Sequence, residues 1–196
     1  MIEPKIFLDM DGVLVNWTHG LLKALGLEQV ESFVYNEWRD DCFDIRILLD
    51  LSHDQVTQVV NNHHWWTNLR LLPWAEDLIN RCCELVGEEN VYILSSPGKW
   101  SEAWTGKFLF IQRYLNDWNL KERVILTRHK ELIAGPGILL DDKESMCDKI
   151  NNQSGSLEAL LFPAPWNSRK NVWKDGDVFN FIELQLELAL QNLREL

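Results

Sequence analysis

The amino-acid sequence predicts an α/β fold: a Rossmann-like parallel sheet with helices on both faces, plus a small, mainly helical cap inserted after the first strand. Short apolar runs without polar alternation recur along the chain, as is typical of strands buried on both faces. Segments with helical periodicity separate these runs, which favours parallel strands joined by helices. The segment 17–72 is helix-like and shows no convincing buried strand.

The strand candidates are short and rich in Ile, Val and Leu, with little polar interruption. The first lies close to the N-terminus, and the others lie after residue 90. Four are strong and the fifth is weaker; in chain order they are 5–8, 91–94, 123–126, 137–140 and 159–162.

Three helices follow from the apolar periodicity. Segment 74–86 places apolar residues at 74, 75, 78, 79, 82 and 86, and segment 101–118 places them at 104, 108, 111, 115 and 118. The C-terminal "FIELQLELALQNL" has Leu at alternate positions, which is a strand period. Its residues are nearly all strong helix formers, and 182, 186, 189 and 193 fit one helical stripe. We therefore predict a helix there.

The composition fits one globular core with an insertion, which we place as an α/β core over 1–16 and 73–196 and a helical cap over 17–72. The chain has 196 residues, of which 46% are hydrophobic, enough for a sizeable core. A net charge of −11 disfavours long nucleic acids as partners, because polyanion binding relies on clustered Lys and Arg. We expect a monomer or homodimer with a small-molecule substrate.

The cysteines and the apolar runs indicate the compartment. Cysteines stand at 42, 82, 83 and 147, form no CxxC pair and match no zinc spacing, so we interpret them as buried reduced thiols. No signal-peptide core and no run of membrane-spanning length is evident. The expectation is a soluble cytoplasmic protein without a membrane partner.

Polar and charged residues follow four of the predicted strands, where ligands bind in an open parallel sheet. Carboxylates follow the first and fourth strands, hydroxyls follow the second, and cations follow the third. These residues are Asp9 and Asp11, Asp141 and Asp142, Ser95 and Ser96, and Arg128 and Lys130. Their convergence on one edge of the sheet indicates a functional site more strongly than any one motif does.

The residue types predict phosphoryl transfer with Mg²⁺. Asp9 and one of Asp141 and Asp142 supply hard oxygens for the ion, which offsets the repulsion between the acids. A carboxylate can then attack phosphorus and form an aspartyl-phosphate. Asp11 would protonate the leaving oxygen and later activate water.

The remaining predicted site residues hold the phosphate. Ser95 and Lys130 would bind and neutralise the phosphoryl oxygens. Gly12 permits a tight turn that brings backbone N–H groups to the phosphate.

Each motif taken alone has a simpler interpretation. The DxDG of residues 9–12 fails as a calcium loop, because the fifth loop position would be Val13. "GILLDD" resembles the metal-binding strand of a P-loop ATPase, but the required GxxxxGK[ST] is absent. Ser95 and Ser96 alone would be a loop, and Lys130 alone a solvated surface charge.

Ten tryptophans form a second signal. Ordinary core packing is one interpretation of those in and beside the insertion, and stacking on a nucleobase is the other. Trp17 is the best stacking candidate because it lies six residues after Asp11. Trp65 and Trp66 are further candidates.

With these residues assembled, the sequence resembles the haloacid-dehalogenase-like (HAD) phosphohydrolase superfamily. Its four motifs correspond here, in order, to Asp9-Met10-Asp11-Gly12, Ser95, Lys130 and Asp141-Asp142. Within it, the chain is most similar to the 5′(3′)-deoxyribonucleotidases. Those proteins carry "DMDGVLADF", "TSP" and "LTRDK", where this chain has "DMDGVLVNW", "SSP" and "LTRHK". From about 27 to 60, where the cap would select the substrate, we find no residue-by-residue agreement.

The resemblance implies more specific roles. Asp9 would be nucleophile and metal ligand, and Asp11 the acid–base group whose backbone carbonyl binds the metal. Asp142 would be the aspartate of the pair that ligates Mg²⁺. An aromatic residue at the position of Trp17 contacts the nucleoside in that family, and the residues matching Ser96 and Arg128 lie near the phosphate or sugar.

The sequence thus favours a Mg²⁺-dependent phosphomonoesterase of nucleoside 5′-monophosphates, with deoxyribonucleotides expected. One alternative keeps the core but acts on a small metabolite phosphate or a polynucleotide 3′-phosphate, and the acidic balance argues against the latter. The other is a catalytically silent binding protein that uses its Trp-rich insertion as the contact face.

Overall fold

The computed structural model describes residues 3–38 and 43–195. Its centre is a five-stranded sheet in the order β3-β2-β1-β4-β5, and every neighbouring pair is parallel. The strands are β1 Lys5–Leu8, β2 Val91–Ser95, β3 Val124–Leu126, β4 Gly137–Asp141 and β5 Leu157–Leu161. All five predicted strands are therefore present, each with ends within two residues of those expected.

Helices occupy the connections between the strands. The helices of the described residues are α1 Trp17–Ala24, α2 Glu31–Glu37, α3 Ile45–Leu49, α4 His53–Val60, α5 His63–Thr67, α6 Ala75–Val86, α7 Ser101–Tyr114, α8 Glu144–Asn151, α9 Lys170–Asp175 and α10 Val178–Arg194. Within the described part of segment 17–72, the secondary structure consists of α1 to α5 and a short 3₁₀ turn, with no strand of the sheet.

Both faces of the sheet are covered, as predicted. Side chains alternate along β1, so that Ile6 and Leu8 enter one apolar cluster while Phe7 enters another. The larger cluster includes residues of α6 and α10, and the smaller includes Cys147 and Ile150 of α8. The predicted fold class, a parallel α/β sheet with helices on both faces, is confirmed.

The C-terminal helix confirms that composition outweighs alternation there. Helix α10 buries Ile182, Leu186 and Ala189, which are members of the predicted stripe. Leu184 and Leu188, which created the apparent strand period, are 56% and 50% exposed.

The predicted apolar face of α7 is wrong at two positions, and the helix ends at Tyr114, four residues early. Trp104 and Phe108 are each 43% exposed. Gly106 instead faces the interior, because a Cβ there would lie 2.3 Å from Cβ of Trp66 on α5, so the two helices approach closely. The residues buried by α7 are Ala103, Gly106, Lys107, Phe110 and Ile111.

The thiols are reduced where the structure describes them. Cys82 and Cys147 are buried, whereas Cys83 is only partly buried, and all three are free. Cys42 lies outside the described residues. Among the helices that the structure describes, none combines the length and the apolar content that a bilayer span requires.

Candidate active site

The carboxyl ends of β1 and β4 bring three aspartates together. The two strands pair with Leu8 opposite Leu140, and the backbone N–H of Asp9 donates to the Leu140 carbonyl at 3.0 Å. Asp9 therefore lies beside Asp141 and Asp142, which directly follow Leu140. One carboxylate oxygen from each of the three aspartates lies within 4.8 Å of the other two.

Lys130 sits between these carboxylates. It begins a 3₁₀ turn after β3 and is only 2% exposed. Its Nζ lies 2.8 Å from Oδ2 of Asp9 and 2.6 Å from Oδ2 of Asp141. Burial alone would lower the pKa of Lys130, but the two carboxylates outweigh burial and raise it. The ammonium is therefore held in its charged form.

Lys107 is a site residue that the sequence reasoning missed. It lies on α7 with 0% exposure, and its Nζ donates to Oδ2 of Asp11 at 2.6 Å. The same ammonium donates to Oγ of Ser95 and to the carbonyl of Ser96, each at 2.9 Å. All three ammonium donors are thus used, and Lys107 fixes both Asp11 and the end of β2. The available signal was that Lys107 is spaced with Ala103 and Phe110 on one side of α7, but we predicted a different buried face for this helix.

The acids of the site have pKa values shifted in opposite directions. Burial favours the neutral acid at Asp9, yet Lys130 and Lys107 outweigh it and lower its pKa. At Asp11, burial together with repulsion from Asp9 prevails over the attraction of Lys107, so the pKa is raised. Asp9 is therefore suited to act as an ionised nucleophile and Asp11 to carry a proton.

Asp141 and Asp142 both have raised pKa values, mainly because of burial. Lys130 counteracts the effect at Asp141, with which it forms a direct ion pair. Asp142 has no such partner among the residues that the structure describes, and repulsion from Asp141 and Asp9 adds to burial, so its pKa is raised well above the ordinary value. Asp142 is the least compensated carboxylate of the group.

Charge balance indicates what completes this site. With Asp9, Asp141 and Asp142 ionised, the ammonium of Lys130 leaves a residual charge of −2 in this group. A divalent cation on carboxylate oxygens would neutralise this charge, and hard oxygens are the ligands that Mg²⁺ prefers. The residues of the site therefore fit that ion. The carboxylate of Asp11 is held by Lys107 and is not part of the three-oxygen group.

Asp142 is positioned by residues after β5 that the sequence analysis did not single out. Trp166 donates its indole N–H to Oδ2 of Asp142 at 2.9 Å, and Asn167 donates to the Asp142 carbonyl at 2.9 Å. Gly12 passes close by with φ +78°, and a Cβ there would lie 2.2 Å from the same Oδ2. The glycine is thus required by its backbone conformation and by the close approach of Asp142.

A cavity of about 660 Å³ opens over the aspartates. Its size is that of small-molecule binding sites. The predicted site residues that line it are Asp9, Asp11, Gly12, Trp17, Trp66, Ser96, Arg128, Lys130, Asp141 and Asp142.

Two predicted site residues do not line the cavity. Ser95 is completely buried and accepts the hydrogen bond from Lys107, and it also forms a hydrogen bond to Asp9 that lowers the pKa of that acid. Trp65 packs edge-on against Trp17, with ring centroids 6.1 Å apart, and donates its indole N–H to the Gly20 carbonyl. Trp65 therefore supports Trp17 from behind.

Trp66 lines the cavity but is largely committed to packing. It is 3% exposed and donates its indole N–H to the Val60 carbonyl at 2.7 Å. Its ring centroid lies 5.1 Å from Nζ of Lys107. Trp17, at the start of α1, is more exposed and offers the better stacking surface.

Known proteins that are similar to this chain include a human nucleotidase. No protein-family model matches the chain. The human cytosolic-type 5′(3′)-deoxyribonucleotidase is 28% identical over 169 residues, which cover 81% of this chain and 79% of that protein.

Solved structures of the HAD family enzyme BT-2542 from Bacteroides thetaiotaomicron are also similar. A magnesium complex matches with a TM-score of 0.44 and 15% identity over 88% of this chain and 98% of that one. A complex with magnesium and inorganic phosphate matches with a TM-score of 0.44 and 14% identity over 83% and 96%. These TM-scores are too low to establish a common fold.

Proposed function

We propose that this protein is a HAD-like, Mg²⁺-dependent phosphomonoesterase that hydrolyses nucleoside 5′-monophosphates, deoxyribonucleotides in particular. The main support is the group formed by Asp9, Asp141 and Asp142 around Lys130, where an ionised carboxylate borders a cavity and a residual charge of −2 fits a divalent cation. The relative named 5′(3′)-deoxyribonucleotidase supports the nucleotide part.

The metal would be held by the carboxylates of Asp9 and Asp142, with Asp141 and the backbone carbonyl of Asp11 as further oxygens. When bound, Mg²⁺ would neutralise phosphate charge close to the nucleophile. Trp166 and Asn167 would keep Asp142 oriented for this task through the hydrogen bonds described above.

In the first step, a carboxylate oxygen of Asp9 attacks phosphorus and forms an aspartyl-phosphate. The bond between phosphorus and the ester oxygen breaks, and Asp11 gives its proton to that oxygen, so the nucleoside leaves as an alcohol. The lowered pKa of Asp9 and the raised pKa of Asp11 place charge and proton as this step requires. Lys130 stabilises the negative charge that remains on the phosphoryl oxygens.

In the second step, Asp11, now ionised, accepts a proton from water. The resulting hydroxide attacks phosphorus, the bond between phosphorus and Asp9 breaks, and inorganic phosphate is released. Lys107 stabilises the ionised form of Asp11 through its hydrogen bond at 2.6 Å. Both steps conserve atoms and protons, and the enzyme returns to its starting state.

Segment 17–72 would act as the substrate-selecting cap. Trp17 would stack on the base, and Ser96 and Arg128 would contact the phosphate or the sugar. All three residues line the cavity. Stacking tolerates different bases, so stacking on Trp17 alone would allow a broad range of bases.

The test is phosphate release from a panel of ribo- and deoxyribonucleoside monophosphates and sugar phosphates, with Mg²⁺ or with EDTA. We expect nucleotide hydrolysis that EDTA abolishes. Asp9→Asn should reduce kcat about 10³-fold or more, because the nucleophile is lost. Asp54→Asn, an exposed change on α4, serves as the matched control.

The outcomes separate the parts of the proposal. Hydrolysis of sugar phosphates only would refute the nucleotide substrate. Activity that persists in EDTA would refute the metal, and substantial turnover by Asp9→Asn would refute the covalent route.

A further inference from the structure

The outer wall of the cavity carries an excess of positive charge. We define this outer cationic wall as Arg46, Lys99, Arg128 and Lys143, all of which line the cavity. Apart from the aspartates at the strand ends, Asp44 is the lone carboxylate among the lining residues that the structure describes, so the four cations and Asp44 together carry a net charge of +3. This sign is opposite to that of the whole chain, whose net charge is −11.

Two of these cations converge on one histidine from different parts of the chain. Arg46 of α3 binds Asp44, and its Nη1 also lies 3.0 Å from Nδ1 of His53. Lys99, in the loop after β2, has its Nζ 3.2 Å from Nε2 of the same ring. A neutral imidazole accepts at only one nitrogen, so it cannot accept hydrogen bonds from both cations. The arrangement has more donors than acceptors.

The other two cations have no anionic partner among the described residues. Arg128 is exposed and makes no hydrogen bond or ion pair with any residue that the structure describes. The ammonium of Lys143 lies 5.2 Å from the ring centroid of Phe43, with no carboxylate bonded to it in the described ranges. Donor capacity therefore remains open along this wall.

We propose that the outer cationic wall binds a second anionic group of the substrate. Phosphomonoesters that also carry another phosphate or a carboxylate would then bind more tightly than simple nucleoside 5′-monophosphates. This inference rests on the proposed phosphomonoesterase function, in which Lys130 and a metal held by the aspartates would bind the scissile phosphate. A second anion at the wall would accept the open donors, and charge-assisted hydrogen bonds are the strong ones. The cavity of about 660 Å³ has room for a substrate of this size.

Equilibrium binding to the Asp9→Asn variant with Mg²⁺ tests the inference without turnover. Isothermal titration calorimetry compares adenosine 3′,5′-bisphosphate with adenosine 5′-monophosphate. A second pair, 3-phosphoglycerate against glycerol 3-phosphate, asks whether a carboxylate serves as well. We expect the doubly anionic member of at least one pair to bind about tenfold or more tightly than its partner.

Variants of the wall connect this preference to its residues. Adding Lys99→Met or Arg46→Gln to Asp9→Asn should reduce the affinity ratio of the preferred pair to about threefold or less. Lys23→Met, at an exposed lysine of α1 away from the cavity, is the matched control and should keep the full ratio.

Two results would overturn the inference. One is equal affinity within both ligand pairs. The other is a wall variant that weakens both members of a pair equally, because the cations would then act only by general attraction of anions. Failure of the wild-type protein to release phosphate from any ester would instead refute the proposed function, and the binding data would still decide this point.

Discussion

Lys107→Met removes a buried ammonium while keeping an unbranched side chain of similar length. In the native protein that ammonium donates to Asp11, to Ser95 and to the Ser96 carbonyl, at 2.6, 2.9 and 2.9 Å. Methionine can fill the space but cannot donate. The substitution therefore leaves three acceptors without this donor, one of them a carboxylate, and tests how much the site depends on Lys107.

The magnitude follows from the type of contact. Removing one partner of a fully buried ion pair costs about 3–5 kcal/mol. Because the side chain of Asp11 is 29% exposed, the charge left behind is partly solvated, and we expect a loss of about 2–4 kcal/mol. For a chain of this length, each kcal/mol lowers Tm by roughly 2–4 °C, so we expect a decrease of about 4–16 °C. Loss of the positive charge also raises the pKa of Asp11 further. As the pH is lowered, the activity that needs ionised Asp11 should therefore begin to fall at a higher pH in the variant than in the wild type.

A double-mutant cycle by urea unfolding isolates the pair. If Lys107 is needed mainly to compensate Asp11, then Asp11→Asn removes the reason for the cost, and the double variant should be about 1–3 kcal/mol more stable than additivity predicts. Lys23→Met provides the control for loss of an exposed lysine and should change stability by less than about 0.5 kcal/mol. Additive effects at Lys107 and Asp11 would refute the reasoning.

Three further predictions concern the metal end of the site. Gly12→Ala should lower the free energy of unfolding more than Gly26→Ala does. Both glycines have positive φ, but a Cβ at Gly12 would clash with Asp142 and Trp166, whereas a Cβ at Gly26 would have no atom within 4 Å. Equal urea midpoints for the two variants would contradict this prediction. The folded protein raises the pKa of Asp142 above its value of about 4 in the unfolded chain, so in EDTA the wild type should lose stability as the pH rises from about 4 towards the folded pKa. Asp142→Asn should lose less stability over the same pH range. Parallel profiles of urea midpoint against pH for the two proteins would count against the assignment. Trp166→Phe, which deletes the indole donor to Asp142, should weaken Mg²⁺ binding about 10-fold or more by calorimetry, while Trp173→Phe, outside the cavity lining, should not.

The sequence was most informative where the physical signal is local. Unbroken runs of Ile, Val and Leu marked the strands, because strands of a parallel sheet are buried on both faces. The order of acids and cations after those strands then followed from one geometric rule, that parallel strands deliver their carboxyl ends to a common edge. The convergence of Asp9, Asp141 and Lys130 could thus be predicted, with contacts of 2.6–2.8 Å now visible.

Contacts made by tertiary packing could not be predicted in the same way. The periodicity of α7 predicted that the face with Trp104 and Phe108 is buried. Instead, α7 packs closely against α5 at Gly106, and Lys107 lies in the interior. A buried lysine contradicts the general preference of its residue type for solvent. Its burial depends on acceptors that lie 11 to 96 residues away in the chain.

The electrostatic requirement of the site explains why its extra residues take the form they do. Four aspartates in one small volume repel one another and resist ionisation, so their negative charges need compensation. Lys130 serves Asp9 and Asp141, and Lys107 serves Asp11. Among the described residues, the carboxylate of Asp142 forms no ion pair and accepts a hydrogen bond from a neutral indole at 2.9 Å, and the attraction of Lys130 is too weak to offset burial and the neighbouring acids. A divalent cation held by these carboxylates would therefore offset the charge of Asp142, which has no ion-pair partner among the described residues.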